Sequence, residues 1–277
     1  MSLPLSFEYF PPHSKQGLEK LIQTSQDLNK LHPEYYSVTF GAGGSTQERT
    51  LETCLALLET TKTNISPHIS CVGTEKESIR SLLNQYKIHQ IKHLVVLRGD
   101  LPSGMVAMGD FAYANELVSW IRKEYGDYFH IAIACYPEVH PQSFDAKKDF
   151  NYFKAKVEAG ADEAITQYFY NPDSYFYFVE HCQKENINIP IVPGIMPITN
   201  YNQLARFSSI CGAEIPRWIR KHLESISDDP QSILSFGVDV VTHLCDTLIQ
   251  GGAPGLHFYT LNKSESTVEI CNKLKLG

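Results

Sequence analysis

No two of the seven cysteines (Cys54, Cys71, Cys135, Cys182, Cys211, Cys245 and Cys271) stand at C-x-x-C spacing, and their number is odd. Such scattered thiols favour a reduced state in a cytoplasm over a disulfide framework. Nor is there a run of Lys and Arg long enough to track phosphates. With a formal charge of −7 and a pI near 5.9, nucleic acid is not an expected partner. No apolar run approaches the roughly 18 residues of a membrane span. The N-terminus lacks a basic region, and Glu8, Pro11 and Pro12 interrupt any signal-like core. A soluble cytoplasmic chain with no membrane partner is therefore expected. Several signatures are also missing. The segment from Gly41 to Thr46 fails G-x-G-x-x-G because position 46 is Thr, and no acid stands about 20 residues on to hold a ribose. There is no P-loop, no Ser nucleophile elbow and no H-E-x-x-H, so neither a Rossmann site nor a metal site is expected.

What is present is a βα rhythm. At 277 residues the chain suits one α/β barrel, which usually takes about 250. Short β-branched and aromatic runs occur at Leu5 to Phe10, Tyr35 to Phe40, Pro67 to Val72, His93 to Arg98, His130 to Tyr136, Glu163 to Phe169, Ile189 to Ile195 and Gly255 to Leu261. Amphipathic segments such as Leu18 to Leu31, Arg49 to Thr61 and Phe111 to Tyr125 lie between them. Thr74 with Glu77 reads as a capping box, and Gly160 as the residue just past a helix. Eight units predict a (β/α)8 TIM barrel spanning residues 1–277 as a single domain, an open doubly wound sheet being the alternative. The connection from Pro197 to Ala253 is the longest and predicts extra helices before the eighth strand, with breaks at Pro216 and Pro230 and a role as a mobile cover.

In a barrel, chemistry gathers at the C-terminal ends of the strands. Glu8 alternates with Leu5, Phe7 and Tyr9, so it turns inward when those residues face the helices. It reads either as a salt-bridged structural acid or as a general acid whose pKa is raised by apolar surroundings. Arg98, Gly99 and Asp100 end the fourth strand, where a surface ion pair is the plain alternative to a site. Tyr136 to Pro141 form either a ligand cradle or a rigid loop. Gln167, among Tyr168, Phe169 and Tyr170, suits a planar heterocycle with hydrogen-bonding edges, against aromatic core packing. Of the eleven histidines only His68 and His140 hold informative barrel positions, and His68 is either a satisfied core imidazole or a cofactor donor.

Seven blocks, Ser6-Phe-Glu-Tyr-Phe-Pro-Pro12, Ser37-Val-Thr-Phe-Gly-Ala-Gly-Gly-Ser-Thr46, Leu97-Arg-Gly-Asp100, Tyr136-Pro-Glu-Val-His-Pro141, Ile165-Thr-Gln-Tyr-Phe169, Pro193-Gly-Ile-Met-Pro197 and His257-Phe-Tyr-Thr-Leu-Asn262, fall in order at predicted strands or their ends. Together they resemble the methylenetetrahydrofolate reductase family over nearly the whole chain. The resemblance implies a barrel that binds FAD and accepts hydride from NADH or NADPH. It implies reduction of 5,10-methylenetetrahydrofolate to 5-methyltetrahydrofolate, the two substrates using one site in turn. It belongs to one-carbon metabolism and methionine biosynthesis. By the same resemblance Glu8 is the proton donor and Asp100 favours the developing cation. Gln167, Phe207 and Lys263 meet the substrates, and a familiar bacterial form has Arg at the last of these positions. A lysine there cannot form the bidentate fork. Thr39, His68, Arg98, Gly99, Asp100, Tyr136, His140, Asp149 and Lys156 are the implied flavin contacts. Asp149 and Lys156 would otherwise read as solvated helix charges. A homo-oligomer is implied, and regulation through an additional C-terminal domain is not expected. Two other readings remain at this point: a flavin-free pterin-binding transferase barrel, and a flavin-binding barrel without turnover.

Overall fold

The computed structural model describes residues 3–40, 44–99 and 109–277. Its parallel strands are β1 (Leu5–Tyr9), β2 (Tyr35–Val38), β3 (Asn64–Ser70), β4 (His93–Leu97), β5 (His130–Cys135), β6 (Glu163–Thr166), β7 (Ile191–Val192), β8 (Gly194–Ile195) and β9 (Leu256–Tyr259). The hydrogen-bonded order is β7-β6-β5-β4-β3-β2-β1-β9-β8. Pro193 alone separates β7 from β8. Lacking an N–H, it interrupts the ladder, so β7 pairs with β6 and β8 with β9 and the two pieces close the ring as one stave. The Pro193 carbonyl still accepts from His257 N–H at 3.0 Å, and Gly194 N–H donates to Thr166 Oγ1 at 2.9 Å. The expected eight-stave barrel is therefore the observed one.

Strand alternation divides the core. Leu5, Phe7 and Tyr9 point outward and are 3%, 0% and 0% exposed, in the large cluster between barrel and helices. Inside the barrel, β4, β5 and β6 contribute a small apolar cluster of Val95, Ala132 and Ile165 with Leu97 against it. Barrel interiors are usually filled in this way throughout. Here β1, β2, β3 and β9 supply Ser6, Glu8, Ser37, Ser66, His68 and His257 on the same inward register, Glu8 pairing with Ser37 and with Tyr259. Half of the interior is polar, a costly arrangement unless the groups are paired or used.

The helices are α1 (Lys15–Asn29), α2 (Gly44–Thr61), α3 (Lys76–Ile88), α4 (Ala114–Tyr125), α5 (Ala146–Glu158), α6 (Pro172–Lys184), α7 (Tyr201–Cys211), α8 (Arg217–Ser225), α9 (Pro230–Gln250) and α10 (Glu265–Lys273). The long seventh connection does hold extra helices, α7 to α9, with Pro216 capping α8 and Pro230 opening α9. Three sequence expectations need correction. The capping box at Thr74 and Glu77 does not form. Glu75 is the N-cap residue of α3, and Asp110 takes the Lys76 N–H at 2.8 Å from across the next connection. The third strand begins at Asn64 and ends at Ser70, earlier than at Pro67 and Val72, because Asn64 pairs with Tyr35 below the proline. Helix α9, at 21 residues, is long and apolar enough to cross a membrane by length and composition alone. Its polar residues hid this in the sequence. Ile233, Val238, Val241, Leu244 and Leu248 are buried in the core, while Asp239 and His243 are exposed, the pattern of a helix lying on a barrel. Gly160 meets expectation, at φ +109 just past α5.

The closure stave is tight. A Cβ on Gly194 would stand 2.2 Å from the Thr166 carbonyl oxygen and 2.6 Å from the Tyr259 ring. Gly194→Ala should cost about 1–3 kcal/mol through overpacking. A lowered urea midpoint with an unchanged far-ultraviolet spectrum checks this.

Candidate functional site

At the C-terminal end of β1 the Glu8 carboxyl sits between two imidazoles. His68 Nε2, from β3, is 3.2 Å from Glu8 Oε2, and His257 Nε2, from β9, is 3.7 Å away. His257 Nδ1 is 2.7 Å from Ser6 Oγ. The Glu8 backbone is also fixed, since its carbonyl accepts from Thr260 Oγ1 at 2.6 Å. Burial pushes this carboxyl up, but the imidazoles of His257 and His68 outweigh it and hold the group at about 2. The expectation of a raised pKa is thus corrected. The sequence alternation showed an interior acid but not the bases facing it from β3 and β9. Both imidazole Nε2 atoms are buried and lack a well-directed hydrogen bond among the described residues, so the group has donor and acceptor capacity left for a ligand or water.

Where β4 and β5 end, a cavity of about 420 Å³ opens between α4 and α5. Arg98, Gly99, Tyr136, His140, Asp149 and Lys156 all line it, six of the positions predicted to contact a cofactor. Gly99 has φ +83, and a Cβ there would fall 1.9 Å from Ser70 Oγ, so only glycine lets the backbone turn the corner. Arg98 reaches Gln142 with its guanidinium. The His140 backbone N–H donates to Asp149 at 3.0 Å, and its Nδ1 accepts from Gln142 N–H at 3.0 Å. A neutral His140 therefore carries its proton on Nε2. Burial raises the Asp149 carboxyl and lowers the Lys156 ammonium, which donates to the Ala134 carbonyl. The reading of these two as solvated helix charges is set aside, because α5 turns both into the cavity. Among the described residues neither Arg98 nor Lys156 has a carboxylate within ion-pair distance. Two cations in a preformed cavity lined by tyrosines suit a phosphate-bearing planar ligand.

The loop after β5 places Tyr136 and His140 in the cavity lining and is held by contacts of its own. Tyr136 packs its ring edge-on to His140, with centroids 4.5 Å apart. Val139 is held at φ +71, a conformation that strains a β-branched residue and clusters at functional sites. The Glu138 carboxylate, raised by burial, accepts from Glu214 N–H at 2.8 Å and ties this loop to the seventh connection. Thr39, at the end of β2, and His68 lie outside the lining of this cavity, His68 being turned to Glu8. Gln167 is half-buried at the end of β6, its side-chain oxygen accepting from Tyr168 N–H at 3.0 Å. Phe207 is half-buried on α7 against the core, next to Ser208, whose Oγ is 3.0 Å from the Tyr168 hydroxyl. Lys263 is exposed just past β9, where Asn262 brackets the Phe10 backbone, accepting its N–H at 3.0 Å and donating to its carbonyl at 2.9 Å. Asp100 and Gly41–Gly43 lie outside the described residues.

Sequence reading missed four contributors. Ser6 and His257 complete the Glu8 cluster, and their signal was the inward alternation of β1 and β9. Tyr113 and Tyr152 line the cavity with rings stacked 6.1 Å apart at 12°. Nothing in their local sequence separates them from ordinary surface tyrosines.

Fold and site together define a closed parallel barrel with a buried acid and a cation-lined ligand cavity at its C-terminal mouth. Residues 2–275 match the family described as methylenetetrahydrofolate reductase, and the chain belongs to that family. It is 35% identical over 272 residues to 5,10-methylenetetrahydrofolate reductase of Escherichia coli, covering 98% of this chain and 90% of that one. It is 37% identical over 284 residues to methylenetetrahydrofolate reductase (NADH) 1 of Arabidopsis thaliana, covering 98% of this chain and 48% of the plant protein. The chain thus spans about half the length of the plant relatives it matches. Among solved structures, an uncharacterized Clostridium thermocellum protein that binds two copies of 5-methyl-5,6,7,8-tetrahydrofolic acid superposes with a TM-score of 0.69 at 14% identity, covering 99% of this chain and 96% of that one. A dihydropteroate synthase from Coxiella burnetii, in complex with pteroic acid, reaches 0.54 at 10% identity, covering 98% and 91%. These two likenesses establish the barrel fold alone.

The Lys156 shift gives a stability test of its own. Its lowered value means that the charged form is disfavoured by folding below that value, a penalty that fades as pH rises through it toward the ordinary lysine range. Lys156→Met should leave the urea midpoint at pH 7 unchanged or higher than that of the parent protein, with any gain narrowing at alkaline pH. A large loss at pH 7 contradicts the assignment.

Proposed function

We propose that this chain reduces 5,10-methylenetetrahydrofolate to 5-methyltetrahydrofolate, using FAD and a reduced nicotinamide, with folate and nicotinamide occupying the mouth in turn. The observation that carries this reading is the Glu8 carboxyl between His68 and His257, in a barrel whose β4 and β5 ends carry a cavity with two cations that have no carboxylate in ion-pair distance among the described residues. Family membership supports the folate chemistry. The folate and pteroic acid held by barrels of the same fold support a pterin at this mouth.

FAD, when bound, would supply the hydride relay between nicotinamide and folate. Lys156 and Arg98 would hold its anionic portion, Tyr136 and His140 would pack against it, and the bare Gly99 backbone would let it approach closely. Glu8 would protonate the folate nitrogen as the five-membered ring opens to an iminium ion, the form that accepts hydride. A carboxyl held at about 2 cannot carry that proton at neutral pH by itself. The proton would then have to reach the carboxyl when the ligand is in place, as removal of water from the mouth raises the cost of the carboxylate form. Gln167 would hydrogen-bond the pterin edge. Phe207 would pack over whichever substrate is present, and Lys263 would meet it as a single point charge. Asp100 is assigned to the developing cation by resemblance.

Glu8→Gln keeps the shape and removes the transferable proton. It should retain FAD, shown by its visible spectrum, and be reduced normally by NADH or NADPH. Reoxidation of the reduced flavin by 5,10-methylenetetrahydrofolate should slow by at least about 100-fold, the lower end of general-acid effects. Stopped-flow absorbance separates the two half-reactions. A parent protein that takes up no FAD would favour the flavin-free transferase reading instead.

A further inference from the structure

The lower half of the barrel interior carries polar groups that neither the mouth nor the cavity uses. Tyr35, His93, His130 and Glu163 are the first residues of β2, β4, β5 and β6, so they lie at the face opposite the mouth. The Tyr35 hydroxyl donates to Glu163 Oε1 at 3.0 Å, and Glu163 Oε2 is 3.7 Å from His130 Nε2. The His130 side chain is 40% exposed, while Tyr35 is 5% exposed. His130 also lies 3.8 Å from Asp162, which pairs with Arg122, and feels Glu34, while the His93 ring stacks on Tyr35 and lies 5.2 Å from the His130 ring.

Register links this cluster to Glu8. Ser6 pairs with Tyr35 on one side and with His257 on the other. Tyr35 is the cross-strand neighbour of Ser6, Ser6 Oγ is 2.7 Å from His257 Nδ1, and His257 Nε2 is 3.7 Å from Glu8 Oε2. Hydroxyls and an imidazole therefore follow one another from a half-exposed histidine to the buried acid. A merely structural plug is better built from aliphatic residues, as Val95, Ala132 and Ile165 show one layer further along β4, β5 and β6.

We propose that Glu8 is resupplied with protons from the N-terminal face of the barrel, through His130, Glu163, Tyr35, Ser6 and His257. This rests on the assignment of Glu8 as proton donor, because that role leaves Glu8 needing one proton per turnover while its ligands cover the mouth. One proton enters from water at His130 and passes to the Glu163 carboxylate. Glu163 donates to the Tyr35 oxygen as the Tyr35 proton moves to Ser6, the Ser6 proton moves to His257 Nδ1, and the His257 Nε2 proton moves to Glu8. Each group gains and loses one proton, no electrons move, the Glu163 carboxyl turns to carry the proton from the His130 side to the Tyr35 side, and rotation of that carboxyl, the two hydroxyls and the imidazole resets the chain. The two 3.7 Å steps and the step from Tyr35 to Ser6 need a small side-chain rotation or a bridging water. Burial alone raises the Glu163 carboxyl, but His130 and Tyr35 bring it below the ordinary value, and Glu163 raises His130. The entry pair is therefore set as a carboxylate beside a readily protonated imidazole.

Tyr35→Phe removes only the hydroxyl, and Glu163→Gln and His130→Ala break the entry point. Each should slow reoxidation of the reduced flavin by 5,10-methylenetetrahydrofolate about 10-fold or more, while FAD content and flavin reduction by NADH stay at parent levels. Added imidazole should restore His130→Ala, a response that a lost structural contact does not give. In the protein without substrates, nitrogen-15 NMR should show slower solvent exchange of the His257 ring N–H in Tyr35→Phe. Parent rates of reoxidation and of His257 exchange in all three variants would overturn the route. So would an effect confined to Tyr35→Phe, which places entry elsewhere. Should the parent protein bind FAD but not pass hydride to the folate, the proposed function fails. The His257 exchange rates still decide the route by themselves.

Discussion

A carboxylate inside a closed barrel constrains everything packed around it. Glu8 has only the interior to turn into, because Leu5, Phe7 and Tyr9 fill the outer face of β1 against the helices. An unpaired charge there would be prohibitively costly, so the staves that face it, β2, β3 and β9, carry serines and histidines where barrels ordinarily place branched aliphatic side chains. The apolar filling retreats to Val95, Leu97, Ala132 and Ile165 on the opposite side. Stability must then come mainly from the layer between barrel and helices, where the great majority of the buried hydrophobic residues gather.

This division of the interior is repeated at the mouth. The β1, β3 and β9 side holds a carboxyl between two imidazoles, and the β4 and β5 side holds Arg98 and Lys156 in a preformed cavity. Two devices lock the sides together. Thr260 and Asn262 bond the backbone of Glu8 and Phe10, extending the β1 and β9 pairing past the end of the strands. Glu138 pins the strained loop after β5 to the seventh connection, which also carries Phe207. A ligand in the cavity would thus feel the position of α7 through one buried carboxylate.

Alternation of two residues made the barrel readable from sequence, because in each strand the outward set is strongly apolar and every connection but one is short. The seventh stave was read as one strand because its composition is continuous. Its division at Pro193 depends on a missing N–H whose consequence appears only once both neighbours are in place. Glu8 was readable as an interior acid, and its partners were not. Whether His68 and His257 face it depends on the register between β1, β3 and β9, which local patterns do not encode. That is also why its pKa was expected on the wrong side of the ordinary value. Lys156 and Asp149 show the opposite case, since only the family resemblance lifted two helix charges above their neighbours, and the turn of α5 gives the physical reason.

Barrels only 10–14% identical to this one share its backbone closely enough to superpose over nearly their whole length. The fold therefore does not carry the chemistry. What distinguishes this chain is a set of choices that fold stability by itself would not favour. Lys156 is desolvated without a carboxylate in ion-pair distance among the described residues, Val139 sits in a strained conformation, and two imidazoles are buried with undirected Nε2 atoms. Desolvation of Lys156 and the conformation of Val139 are each destabilising in the protein alone. Their convergence on one mouth is a physical argument for a site, independent of any likeness to other proteins.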